Sequence, residues 1–162
     1  KNQKKTITLK PWIFFQDDLG LNYRLTDIQA SLGSSQLKKV NTFINTRNSI
    51  SKIYNNNLKN LPVKLPNLSS AYYSSFHLYV ILLKNNKRDL LYKTLLKKGF
   101  KTNIHYIPIY RHPYFKRFNF KKKNFKNTEK YFSSALSLPI YPNLSKKNIF
   151  KFIKKIKFFL QK

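Results

Sequence analysis

The C-terminal stretch constrains the fold most. Ile149, Phe152, Ile153, Ile156, Phe159 and Leu160 recur at helical spacing, with Lys151, Lys154, Lys155 and Lys157 between them. Ser145 stands where an N-cap belongs, so the spacing predicts a helix beginning just after it. A helix with one apolar face must bury that face against another layer. A membrane surface would accept a Lys-flanked aromatic face. A small sheet in the same chain would need one as cover, and Phe76 to Leu83 is an apolar run rich in strand formers that reads as a buried strand. A helix lying on its own sheet is the simpler reading.

The remaining punctuation extends this picture. Thr26 with Gln29 has capping-box spacing. Ile28, Leu32, Val40, Phe43, Ile50, Ile53 and Tyr54 then form an interrupted helical stripe that lasts to about Leu58 and ends at Pro62 and Pro66. Gly33 and Ser34 weaken it and predict a kink there. Asn85–Asn86 predicts a turn. Asp89 to Lys98 predicts a helix closed by Gly99. Thr102 to Tyr106 reads as a short strand stopped by Pro108, and Pro113 to Phe118 as one helical turn. Thr128 to Leu136 reads as a short helix, and Ser137 to Ile140 as extended chain. The sum is a small α/β layer fold, a short sheet covered by helices and entered through a long helix. The expected divisions are residues 1–25, a connecting helical region at 26–61, and a small domain at 62–162.

Composition excludes several classes of function. The chain has no Cys, which removes disulfides, thiolate metal sites and Cys nucleophiles. Three His and five acidic residues argue against an all-protein metal centre. Only three Gly are present, too few for Walker or dinucleotide-binding loops, and no Gly-x-Ser-x-Gly occurs. No apolar run approaches the roughly 18–20 residues of a membrane span. The net charge of +28 invites a nucleic-acid reading. Yet 28 of the 33 basic residues are Lys, accompanied by abundant Asn, Ile, Phe and Tyr. That pattern fits drift in a genome poor in G and C better than an Arg-rich nucleic-acid surface. The chain begins at Lys1 and contains no Met, from which a piece of a longer protein is expected.

Two segments could carry chemistry. In Gly20 to Ala30, Asn22 and Arg24 precede a predicted helix start, where an amide donor and a guanidinium suit an anion. Spacing alone favours a turn residue and a surface Arg before an ordinary cap. In Thr102 to Phe115, a strand end is followed by a proline-bounded loop carrying His105, Tyr106, Tyr110, Arg111, His112 and Tyr114. His105 could donate to a ligand or shuttle a proton. Taken alone, the segment favours a satisfied core His with tyrosines packed at a loop. His77 reads as structural.

At these segments the sequence resembles the pyridoxal-phosphate-dependent nucleotide-sugar aminotransferases of the DegT/StrS type. Pro11-Trp12 through Gln16, Leu19-Gly20, Asn22-Tyr23-Arg24, Thr26 to Ala30, Leu32-Gly33 and Gln36-Leu37 follow that family's pattern in order. So do His77 to Val80, His105 to Pro108, Pro113-Tyr114 and Leu136 to Pro142. The Pro-Trp-aromatic opening is most similar to members that aminate C4 of a UDP-linked 4-keto-6-deoxy-N-acetylated hexose for pseudaminic acid.

The resemblance implies the C-terminal part of a fold type I transaminase with pyridoxal phosphate as cofactor and glutamate as amino donor. It implies a cytoplasmic homodimer with the active site at the subunit interface. The Schiff-base Lys would precede this segment, so the chain alone would be inactive and hold no catalytic residue. The resemblance places Asn22, with Arg24, at the cofactor phosphate of the neighbouring subunit. It places Trp12, Tyr23, His105 and Tyr106 at the sugar nucleotide. His112 stands where the family commonly has Gln or another polar residue. A basic nucleic-acid-binding module without activity is the alternative.

Overall fold

The computed structural model describes residues 20, 21, 23–67, 72–84 and 87–161. It divides into two compact units, residues 1–38 and 39–162. The predicted turn at Asn85–Asn86 lies outside the described residues.

The first unit contains helix α1, Asp27–Leu37, which opens on the expected capping box. The Gln29 N–H donates to Thr26 Oγ1 at 3.3 Å, and the Thr26 N–H donates to Gln29 Oε1 at 3.0 Å. Two otherwise orphaned donors are thereby satisfied. Gly33 lies inside α1 and does not break it. The helical pattern instead separates at Lys38–Lys39 into α1 and a second helix, α2, at Val40–Leu58. A lone Gly costs a helix only about 1 kcal/mol relative to Ala. No residue of α1 is buried, and burial in α2 starts at Ile50.

The second unit is built on a three-stranded antiparallel sheet of β1 (Val63–Lys64), β2 (Tyr79–Leu83) and β3 (Ala135–Leu138), in that order. Tyr79 faces Leu138 and Ile81 faces Leu136, while Val63 faces Leu83. β1 carries no period-2 signal because it has only two residues, in a three-residue stretch between Pro62 and Pro66. Phe76, expected to open β2, instead takes a left-handed conformation with φ 44°, its N–H held by Ser74 Oγ at 3.1 Å. Its ring still enters the core. The expected strand at Thr102–Tyr106 reduces to one bridge, Asn103 with Ser137. There Asn103 and Ser137 exchange both backbone hydrogen bonds, at 3.1 and 2.8 Å, and the Ile104 N–H, which points away from β3, donates to the Asn103 side chain at 2.8 Å.

Helix α3, Arg88–Lys97, buries Leu91 and Leu95. Gly99 at φ 78° closes it, with the Phe100 N–H on the Leu95 carbonyl and the Gly99 N–H on that of Leu96, a Schellman pair. Pro113–Phe118 forms a 3-10 helix. Helix α4, Lys126–Ser134, stops two residues short of expectation because Ala135 and Leu136 belong to β3. Helix α5, Lys146–Leu160, is capped by Ser145, whose Oγ accepts the Asn148 N–H at 3.3 Å. Its buried residues are Ile149, Phe152, Ile153, Ile156 and Leu160, and they join α2, α3 and the sheet in one core. The amphipathic face therefore covers protein. No helix among the described residues is long and apolar enough to cross a membrane.

Tyr54 on α2 ties these layers together. Its hydroxyl donates to the Pro139 carbonyl at 2.8 Å, and its ring meets Tyr79 at 5.0 Å and Phe152 at 6.3 Å. Burial pushes the Tyr54 and Tyr79 phenols well above their ordinary range.

A second tie fastens the loop after residue 108 to α4. Glu129 is the sole Glu of the chain. It accepts hydrogen bonds from Tyr110 and from Arg111 Nε at 2.9 Å and Nη2, with Lys122 Nζ at 3.7 Å. Tyr110 stacks on Phe125 at 4.4 Å, and the Arg111 guanidinium lies 5.0 Å from the Phe132 ring centroid. The Tyr110 hydrogen bond first, then Arg111 and Lys122, hold the Glu129 carboxyl below its ordinary value. Loss of hydration, then Glu129, holds Tyr110 above its own.

Two outcomes follow from these ties. Tyr54→Phe leaves the Pro139 carbonyl unpaired and should cost about 1–3 kcal/mol in urea unfolding, without a change in m-value. The lowered Glu129 carboxyl contributes stability that is complete above the ordinary Glu value of about 4.3 and is lost as pH falls through its folded value. The gap in urea midpoint between wild type and Glu129→Gln should therefore be wide at neutral pH and close at acid pH. A constant gap would show that the carboxylate is not its source.

Candidate functional site

Tyr23 and Arg24 lie in the first unit, immediately before α1. Tyr23 is exposed at 91% and Arg24 is also exposed. Thr26 caps the helix start, and Asp27 in the first turn complements the dipole. Trp12 and Asn22 lie outside the described residues.

His105 and Tyr106 lie in the second unit and are brought together with two residues that sequence reasoning did not single out. His105 Nδ1 stands 2.7 Å from Ser137 Oγ, and His105 Nε2 stands 3.1 Å from Asn103 Nδ2. Ser137 is buried on β3, and Asn103 is its backbone bridge partner. The peptide joining His105 and Tyr106 is cis. Tyr106 is 72% exposed, and its ring meets the His105 ring edge-on at 4.7 Å.

Beside His105 opens a cleft of about 480 Å³ lined by His77, Lys101, Thr102, Asn103, His105 and Ser137, with apolar walls from α3 and the end of β3. Thr102 Oγ1 is buried there without a hydrogen-bond partner among the described residues. The cleft offers neutral hydrogen-bonding groups, the His77 imidazole and the Lys101 ammonium, a set that suits a polar, anionic ligand. His77, expected to be structural, is exposed at its edge. His112 is exposed between two 3-10 turns.

Ser137 lay hidden inside an apolar strand pattern, and Asn103 read as a strand residue. Only their pairing across 32 and 2 residues from His105 reveals them. Glu129 had a signal, its singularity in so basic a chain, which pattern reading passed over.

The sequence profile of the DegT/DnrJ/EryC1/StrS aminotransferase family matches residues 2–157. The UDP-4-amino-4,6-dideoxy-N-acetyl-beta-L-altrosamine transaminase of Campylobacter jejuni is 31% identical over 144 residues, 85% of this chain and 37% of that protein. The solved structure of Helicobacter pylori PseC, an aminotransferase involved in the biosynthesis of pseudoaminic acid, superposes with a TM-score of 0.80 at 27% identity. That match covers 96% of this chain and 43% of PseC. Spr1654 of Streptococcus pneumoniae, solved in a PLP form and a PMP form, superposes with a TM-score of 0.79 at 26% identity, over 85% of this chain and 36% of the PLP form. The chain spans 34–39% of the length of the curated relatives it matches. The matched structures have the fold type I architecture, and the cofactor of the family is pyridoxal phosphate. A profile match over nearly the whole chain, on a shared α/β fold, has one consequence for its kinship: the chain belongs to the DegT/DnrJ/EryC1/StrS aminotransferase family.

Proposed function

We propose that this chain is the C-terminal part of a transaminase that moves an amino group from glutamate to the C4 ketone of a UDP-linked 4-keto-6-deoxy sugar, in surface-glycan or pseudaminic acid synthesis. The observation that carries the reading is the 31% identity to the Campylobacter jejuni transaminase, whose name specifies a 4-amino-4,6-dideoxy sugar on UDP. The likeness to PseC points the same way. The complete enzyme works as a cytoplasmic homodimer with its active site between subunits. The family match favours this reading over a basic nucleic-acid-binding module.

The residues present fit pyridoxal phosphate at its phosphate end. Arg24 is exposed and lies two residues ahead of the Thr26 cap, in the chain that leads into the N-terminus of α1. That donor set matches a phosphate dianion. Asn22 and Arg24 would hold the phosphate of the neighbouring subunit. Bound there, the cofactor supplies the electron sink for amino transfer. Trp12, Tyr23, His105 and Tyr106 orient the sugar nucleotide. The polar cleft beside His105 is suited to keep the diphosphate or sugar hydroxyls in place.

Incubation of the complete protein with glutamate, pyridoxal phosphate and the UDP-4-keto-6-deoxy-N-acetylhexose should yield the 4-amino sugar by mass spectrometry. Absence of product with an active cofactor-loaded protein would remove the substrate assignment. Asn22→Ala in that protein should weaken pyridoxal phosphate retention by about 1.5–3 kcal/mol, the worth of a hydrogen bond to a charged group. Unchanged retention in equilibrium dialysis would take Asn22 out of the phosphate site.

A further inference from the structure

We propose that His105 is a positioning residue, locked in a single tautomer by Asn103 and Ser137, and that it sets Tyr106 as the side chain that meets the sugar nucleotide. This rests on the reading of residues 105 and 106 as part of the substrate pocket.

The tautomer follows from the hydrogen-bond inventory. Asn103 Oδ1 accepts the Ile104 N–H at 2.8 Å, which fixes the amide orientation and leaves Nδ2, a donor, facing His105 Nε2 at 3.1 Å. Nε2 therefore accepts, and the ring proton sits on Nδ1. Nδ1–H then donates to Ser137 Oγ at 2.7 Å. Both ring nitrogens are engaged within the protein. The imidazole has no nitrogen left to hydrogen-bond a ligand or to relay a proton, so the shuttle expected from the sequence does not match this arrangement.

Both holders of the ring are themselves held. Ser137 is 5% exposed and pairs with Val80 of β2. On its other side it exchanges two backbone hydrogen bonds with Asn103, at 3.1 and 2.8 Å. The lock is thus anchored in the sheet, although the loop it controls is at the surface. Tyr106 is the exposed member of the group, and its ring rests edge-on against the locked imidazole at an interplanar angle of 82°. That is the favoured geometry for aromatic pairs. A fixed imidazole plane gives the Tyr106 ring a defined seat, from which an aromatic face can pack on a sugar or a base.

The test combines spectroscopy and kinetics on the complete protein. Long-range ¹H–¹⁵N correlation of His105 should show the proton on Nδ1 and a pyridine-type Nε2. An Nε2–H tautomer overturns the proposal without any variant being made. In the transaminase assay, Ser137→Ala and Tyr106→Ala should each raise KM for the sugar nucleotide about five- to tenfold with little change in kcat. Tyr106→Phe should restore most of it. His105→Asn keeps an amide N–H near the Nδ1 position, so it should shift KM and spare kcat. A large loss of kcat in that variant, with an altered pH profile, assigns acid–base chemistry to His105 and overturns the positioning role. If Tyr106→Ala and His105→Asn both leave KM unchanged, the placement of this loop at the substrate falls, and the proposal with it. If Tyr106→Ala raises KM but Ser137→Ala does not, the placement stands and the positioning role alone is overturned.

Discussion

The second unit depends on the burial of Tyr54. Its ring fills the space among α2, β2 and α5, and its hydroxyl reaches a carbonyl 85 residues away, at Pro139 just beyond β3. A buried phenol is costly unless its O–H is paired. The pairing here fixes where α2 and the end of β3 stand relative to each other. Tyr79, hydrogen-bonded to Asn55 Oδ1 at 2.5 Å, repeats the device one strand inward. Together the two tyrosines tie α2 to β2 and to the chain just beyond β3.

The candidate site inherits its geometry from this core. Pro139 lies two residues beyond Ser137, so the interaction that locates the end of β3 also locates the Ser137 hydroxyl. That hydroxyl orients His105, and the His105 ring seats Tyr106. The next stretch is governed by Glu129, which gathers Tyr110, Arg111 and Lys122 onto α4. A carboxylate so surrounded is a strong fastener in a chain of net charge +28, where opposite charges are scarce. The surface loop is therefore fixed at two points, one neutral and in the sheet, the other ionic and on a helix.

The basic charge itself recedes as a functional signal. Lys151, Lys154 and Lys155 occupy the exposed side of α5, opposite its buried face. They solvate a helix whose role is to cover the core. What distinguishes this chain is the order of its motifs, and the family match follows that order from end to end.

Local signals with a local physical cause were legible. The Thr26–Gln29 capping box, the Ser145 cap, the Gly99 closure of α3 and the apolar stripe of α5 each depend on neighbours within a few residues, and each is present as read. Helix ends and strand extents were less legible because competing partners decide them. Phe76 left its strand for a left-handed turn held by Ser74, the strand expected at Thr102–Tyr106 kept a single bridge, and the long helix divided at Lys38–Lys39. At the site, the sequence marked His105 and Tyr106 through their motif. It could not mark Ser137, which looks like any small residue in a buried strand. The layered α/β class, the covering helix and the segments rich in binding chemistry could be read from residue order alone, because periodicity and capping are encoded within a turn or two. Which hydroxyl meets which imidazole emerged only from the packed fold. Hydrogen bonds between distant residues exist only once the core has brought their backbones together.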